Sequence, residues 1–516
     1  MERLAPGMLF VYLLQAVLLT VPVSLILIWR YRRAVAKSMA LAGSSDFGAA
    51  LPNNPPSSTA QARFENPHHL QRRLILVYLL AAFSAAAFWT FLLFRSEDIE
   101  FTPLRAFSVA YAYAWPIVPT LIALLALDRR RSLGLLAGYV ALGVLITVTW
   151  SALSRPGSAW SNGWQVARLI ALYASLPGLL LWIMANRRIR GVFPLVLAAL
   201  LVFAFGSACV IELFARLADY GSFRRLLLLY GAKTWNLWFM LAAVPVGYFC
   251  WRILVLLNRG FQKKSFSDMQ FLADSFWVIV TFAVAADLMT SAGWKGLWGL
   301  AGFIVYRAVV AAGFRLRPIS AAPGVSLLVL RVFGFERRTE KLFDSVVLRW
   351  RFRGPVRMIA GTDLAAKTID PDDSLAFATG DLPSRFVKNA EDLQERLSRL
   401  DEARDPDGHF RVTEFFCQAN TWTHALVTLL ARSDIVLMDL RGFNKDKSGC
   451  LFELEQLKRY ARLAQTVFVV NSKTDLELFE GAVSQSPNAP QMHLQRVEAD
   501  SIAARNRVYR ELQSLH

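Results

Sequence analysis

The chain has 516 residues, room for two or three domains, and 55% of them are hydrophobic, with fifteen Trp and thirty-six Phe. The formal charge of +18 is unevenly placed: 28 Lys and Arg meet 12 Asp and Glu in the first 314 residues, against 29 and 27 in the remainder. Because the excess flanks apolar runs it reads as a topology signal and excludes a nucleic-acid surface, and four cysteines without CxxC or mixed Cys/His spacing exclude a zinc site and a disulfide framework.

A membrane-crossing helix needs roughly 20 mostly apolar residues, since the hydrocarbon core is about 30 Å thick and each residue rises about 1.5 Å. The sequence predicts about nine such spans, near 7–29, 74–94, 106–127, 132–153, 169–185, 191–214, 236–257, 269–291 and 296–314. The last two are less cleanly apolar, so the count ranges from seven to nine. Residues 1–317 thus read as a polytopic α-helical region whose partner is the lipid bilayer. The first run is too long for a cleaved leader and has a strongly basic flank after it. Residues 38–70, rich in Ser, Pro and Asn, read as a disordered loop.

Basic clusters follow every second boundary: Arg30, Arg32 and Arg33; Arg129 to Arg131; Arg187, Arg188 and Arg190; Arg259, Lys263 and Lys264; Arg315 and Arg317. The positive-inside rule then orients the chain in a plasma (inner) membrane, with the N-terminus outside and the C-terminal domain cytoplasmic. Ionisable residues inside spans are costly. Asp274 and Arg307 fall at matching depths, about 3 Å apart, in an antiparallel eighth and ninth helix pair. They are expected to form an intramembrane ion pair that locks those helices.

From residue 325 the pattern changes to short β-branched runs alternating with amphipathic stretches. Strands are predicted at 325–333, 356–360, 410–416, 434–440 and 466–470, with helices over 336–352, 373–400, 421–432, 449–463 and 494–514. This alternation implies a cytoplasmic α/β domain over 325–516 with a doubly wound, mostly parallel five-stranded sheet. Ligands of such sheets bind beyond the carboxyl ends of the strands. That selects the loops 333–339, 361–370, 417–421 and 440–450. Walker, Rossmann-glycine, zinc-peptidase and nucleophile-elbow motifs are missing from the sequence. No cofactor and no metal are expected.

What carries chemistry is the stretch from Asp439 to Leu454. A strand ends in Asp439, a polar loop with Arg441 and Gly442 follows, and a helix opens as Ser448-Gly449-Cys450-x-x-Glu453. This resembles the segment in Toll/interleukin-1-receptor (TIR) domains and nucleoside deoxyribosyltransferase-like proteins where a Ser, Gly or Cys precedes a Glu early in a helix. The order of elements over roughly 325–475 is also similar, and the whole resembles a polytopic membrane protein of bacterial type. The resemblance implies that Glu453 acts on an N-glycosidic bond, with NAD or a nucleoside as substrate, and that copies of the chain associate, since TIR-type sites form between subunits.

Read from the residues alone, a carboxylate near a helix N-terminus is favoured by the dipole, and Glu453 falls at the border of a stripe of Leu451, Leu454, Leu457 and Ala461. Asp439, Arg441, Ser448 and Cys450 are placed to bind substrate, with Gly334 and Arg337 at the end of the first strand and the start of its helix. Three functions stay open: a membrane-anchored effector that cleaves or transfers from a nucleotide, a non-catalytic signalling or nucleotide-binding module, and a transporter or channel with a regulatory domain.

Overall fold

A computed structural model describes residues 6–41, 67–125, 127, 129–154, 191–217, 225, 228–316, 319, 324–331, 337–360, 369, 371–400, 402–418, 420–460, 462–484 and 492–515, with short stretches between 167 and 182. The chain divides into two units. One comprises Met1–Arg30, Gln71–Pro318 and Ile369–Thr379; the other comprises Tyr31–Leu70, Ile319–Thr368 and Gly380–His516.

The first unit is helical. Long runs of Leu, Ala, Val and Phe form α1 (Pro6–Met39), α2 (Pro67–Ser96), α3 (Pro103–Tyr113), α4 (Ile117–Leu124), α5 (Arg129–Ser154), α6 (Phe193–Leu217), α7 (Ala232–Gln262), α8 (Asp268–Ala292) and α9 (Ala301–Arg315). A 3-10 segment, Gly293–Leu300, joins the last two. Among the described residues, three helical runs are long and apolar enough to cross a membrane: His68–Ser96, Arg129–Leu153 and Asp268–Arg315. The pair α3 and α4, bent by 49°, would make a fourth. The bend falls at Pro116, which has no N–H to continue the helical ladder.

Nine spans were expected, and three, or four with the bent pair, stand among the described residues. The two spans predicted at 269–291 and 296–314 fall within one unbroken stretch of helix, Asp268–Arg315, in which the 3-10 segment makes the connection between them. That run is nevertheless folded back on itself at Gly293, which has φ 61, a conformation glycine adopts without strain. Beyond the turn Gly299 lies against Ala285, so that an added Cβ would sit 2.8 Å from the Ala285 Cα. Farther out, Tyr306 stacks on Trp277 at 4.5 Å. The spans predicted at 7–29, 191–214 and 236–257 fall on α1, α6 and α7, whose side chains are described only in part, and nearly half of 169–185 and most of the loop 38–70 lie outside the described residues.

Trp89 of α2 is the centre of the packing. Its Nε1 donates to the Gly299 carbonyl at 2.8 Å, its ring stacks on Trp277, and Gly302 leaves it room, since a Cβ there would come within 2.0 Å of Nε1. Trp277 in turn donates to Thr120 Oγ1 of α4 at 3.1 Å. A further helix, α11 (Pro371–Thr379), belongs to this unit although the strands on either side of it belong to the other. Leu375 sits among Leu195, Phe261, Phe266 and Phe271, and Asn258 donates to Thr379 Oγ1 at 3.0 Å.

The second unit is a parallel sheet of seven strands: β1 (Leu327–Arg331), β2 (Val356–Ala360), β3 (Phe386–Val387), β4 (Val412–Cys417), β5 (Ile435–Asp439), β6 (Thr466–Val470) and β7 (His493–Arg496), in the order β3-β4-β2-β1-β5-β6-β7. Every described pairing is parallel. Five strands were expected. The two additional ones are edge strands whose identity depends on a neighbour. Two-residue β3 pairs with Phe416 and Cys417, inside a charged stretch that reads as helix. The polar β7 pairs along Val467 to Val470, and the last helix, predicted from 494, starts at Ile502.

Alternation along the strands covers both faces. Leu328, Leu330, Val436, Met438 and Phe468 face α12 (Ala390–Ser398), α13 (Trp422–Arg432), α14 (Ser448–Arg459) and α15 (Leu476–Val483). Leu327, Val329, Leu437 and Val467 face α10 (Arg337–Trp350) and α16 (Ile502–Ser514). From β1 the chain builds outward through β2 to β4 and β3, then returns to β5 on the other flank of β1. Strand order therefore reverses between β1 and β5, whose last residues Arg331 and Asp439 are register partners.

Candidate functional site

The reversal point of a doubly wound sheet leaves a crevice beyond the strand ends, and the segment after β5 lines it here. Asp439, the last residue of β5, is buried and accepts two parallel hydrogen bonds from Arg441, Nε to Oδ1 at 2.9 Å and Nη2 to Oδ2 at 3.0 Å. The loop then turns at Gly442, with φ 71, and is tied to the loop after β6. Gly442 N donates to Asn471 Oδ1 at 3.0 Å, Thr474 Oγ1 donates to the Leu440 carbonyl at 2.9 Å, and Asp475 N donates to the Phe443 carbonyl at 2.9 Å. Asn471 and Thr474 were not singled out from the sequence. Their signal is the polar Asn-Ser-Lys-Thr turn that closes β6.

Helix α14 opens at Ser448, which is exposed, while Cys450 and Glu453 one turn later are both buried. Its inward stripe is Cys450, Glu453, Leu454 and Leu457, rotated from the predicted Leu451, Leu454, Leu457 and Ala461. Leu451 is only partly buried, and Ala461 lies outside the described residues. The rotation carries Glu453 from the expected border into the interior, at 2% exposure. On the outer side of α14, Phe452 meets Trp422 of α13 edge to face at 5.5 Å, an aromatic at the end of the 417–421 loop.

Burial decides the ionisation of this cluster. It pushes the Glu453 carboxyl up to about 8, and Oε2 has no hydrogen-bond partner among the described residues. Burial also pushes the Cys450 thiol up to about 12, with Glu453 and Asp439 adding to the rise and Lys447 opposing it. A helix N-terminus would lower a thiol pKa, but here desolvation outweighs it. At neutral pH the group available in this interior is a protonated carboxylic acid, a proton donor held in an apolar setting.

Of the predicted site residues, the structure brings together Asp439, Arg441, Cys450 and Glu453, and leaves Ser448 on the surface. Gly334 lies outside the described residues; Arg337 opens α10, but its side chain also lies outside them. In the helical unit, Arg307 Nη1 donates to Asp274 Oδ2 at 2.8 Å. Among the described residues no group of three or more His, Cys, Asp or Glu is placed to hold a metal ion. Compared with protein-family models, curated proteins and solved structures, the chain matches none.

Proposed function

We propose that the chain is a membrane-anchored sensor or effector whose sheet unit binds an NAD-like nucleotide or a nucleoside and acts on its N-glycosidic bond, with Glu453 as the catalytic carboxyl. The observation that carries this reading is Glu453 itself, a buried carboxyl with an unpartnered oxygen on the helix that follows the strand at the reversal point. Such a group costs folding free energy, and a functional role supports its placement there. Cleavage of an N-glycosidic bond passes through an oxocarbenium-like state. With a nucleoside, a neutral Glu453 can protonate the departing base, and the carboxylate left behind stabilises the sugar cation. With NAD, nicotinamide departs neutral from its pyridinium without a proton, and the ionised form of Glu453 stabilises the cation. In both cases water captures the cation and releases a proton.

At 2% exposure Glu453 meets a substrate only when the packing around it opens. The arginine clusters orient the sheet unit toward the cytoplasm, and copies of the chain complete the site between them, in keeping with the TIR resemblance. The test uses the full chain in detergent, because α11 interrupts the sheet unit in sequence. NAD and a panel of nucleosides are incubated with it and base release is followed by chromatography. Release that vanishes in Glu453→Gln supports the reading; undiminished release by that variant removes Glu453 from the mechanism.

A second reading, a nucleotide-binding or signalling module without chemistry, draws on the same burial and on the closure of Arg441 onto Asp439. It is favoured if a nucleotide raises the melting temperature and no base is released. A transporter or channel would more often repeat a broken helix in two halves, and α3 with α4 is the one bent pair among the described residues.

A further inference from the structure

The helical unit encloses a cavity of about 290 Å³ between α6, α7, α8 and α9, at the lower end of the roughly 300–1,000 Å³ typical of ligand pockets. Leu195 and Val202 on one side and Ile253 and Leu254 on another make its walls aliphatic, and Asp274, Ser275 and Arg307 are the polar or charged residues that complete the lining. Mostly apolar walls with a few convergent polar groups are the usual form of a small-molecule site.

The polar end narrows the chemistry. Ser275 Oγ is committed to the Leu272 carbonyl at 2.6 Å. Arg307 has five N–H donors, and among the described residues its one hydrogen bond is that from Nη1 to Asp274. Its side chain is 30% exposed, so the other donors are open to an acceptor in the cavity. The pair with Asp274 is already neutral. A carboxylate or phosphate placed there would leave a net negative charge among apolar walls, a costly arrangement. An uncharged carbonyl oxygen costs little and satisfies donors that have no other partner among the described residues.

We propose that this cavity binds an uncharged lipid-like molecule, a single apolar chain ending in an ester- or ketone-type carbonyl that accepts from Arg307. The site is independent of the reading of Glu453, and its test does not use activity. The full chain in lipid nanodiscs is photolabelled with a medium-chain fatty-acid methyl ester that carries a diazirine, and the adducts are mapped by mass spectrometry. Labelling is expected to saturate on peptides containing 195–202 and 250–257. The unlabelled ester competes it, whereas the free acid and the hydrocarbon of equal length compete at least roughly tenfold less well, the loss of about one charge-assisted hydrogen bond.

Val202→Trp, which fills the cavity, should abolish the saturable labelling with the melting temperature kept. Cys250→Phe does the same from the opposite wall should the first variant fail to fold. Arg307→Lys, which keeps the ion pair but removes the guanidinium fork, should erase the preference for ester over hydrocarbon. Labelling that never saturates, or that persists in both filled variants, overturns the proposal. Tighter competition by the free acid, or by the hydrocarbon, overturns the choice of an uncharged carbonyl head.

Discussion

Arg441 folds back onto Asp439 two residues earlier in the chain, its Nε and Nη2 donating to the two carboxylate oxygens at 2.9 and 3.0 Å while its backbone N–H donates to Oδ1 at 3.1 Å. Each side chain is 5% exposed, and the guanidinium lies over the ring of Phe343. Both residues are candidates for substrate contact, and their pairing shapes the turn that leads from β5 to α14.

Breaking that pair from one side leaves a buried charge. Arg441→Met should lower stability by about 3 to 5 kcal/mol, read as a drop in the melting temperature of the full chain. Adding Asp439→Asn should recover part of the loss. A second substitution that only deepens the loss would show that the two side chains do not compensate each other.

Glu453 should make stability depend on pH. Its folded-state pKa of about 8 stands above the ordinary value of 4.5, so between those limits the folded protein holds a proton that the unfolded chain has released. The contribution is fully present below 4.5 and is lost as pH rises toward 8, by roughly 5 kcal/mol at about 1.4 per unit. Glu453→Gln removes this slope, and its advantage in melting temperature over the parent should grow from pH 6 to pH 8.5. Parallel curves for the two proteins would mean that Glu453 is solvated.

The thiols of Cys417 and Cys450 are buried, and each is pushed up to about 12. A maleimide at pH 7.5 should leave both unmodified in the folded chain and modify them after denaturation. Rapid modification would mean an open site.

Asp274 and Arg307 should be coupled in a double-mutant cycle. Asp274→Ala lowers the stability of the solubilised protein, and Arg307→Ala added to it costs little more, with an interaction of about 1 to 3 kcal/mol. Strict additivity would mean that the 2.8 Å contact contributes nothing.

Gly302 is a steric test of the helical unit. A methyl at this position would overlap the Trp89 indole and dislodge the hydrogen bond to Gly299. Gly302→Ala should cost about 1 to 3 kcal/mol, whereas Gly134→Ala, where a Cβ meets nothing within 4 Å, should not. Equal melting temperatures for the two variants would contradict the packing around Trp89.

The sequence by itself determined which segments are apolar enough to form long helices, where the pattern changes to strands, and that the central strands run parallel between two helical layers. These are local properties: hydropathy over twenty residues, the spacing of arginines, and β-branched runs such as Thr466 to Val470. It also brought out the stretch from Asp439 to Leu454, through its acid, its turn glycine and its helical glutamate. Asp274 and Arg307 were legible together because an antiparallel helix pair makes depth a matter of counting.

Only the tertiary structure decided the rest, since it depends on partners distant in the chain. Strands β3 and β7 exist because β4 and β6 offer them hydrogen bonds, and helix α11 joins the helical unit because Leu375 finds Phe261, Phe266 and Phe271 there. The burial of Glu453 was likewise invisible, because a helical wheel shows which residues share a face but not how many neighbours close over it. Helix α14 packs beside α13 and α15 as well as on the sheet, and this wider enclosure desolvates a carboxyl that the periodicity left at the edge.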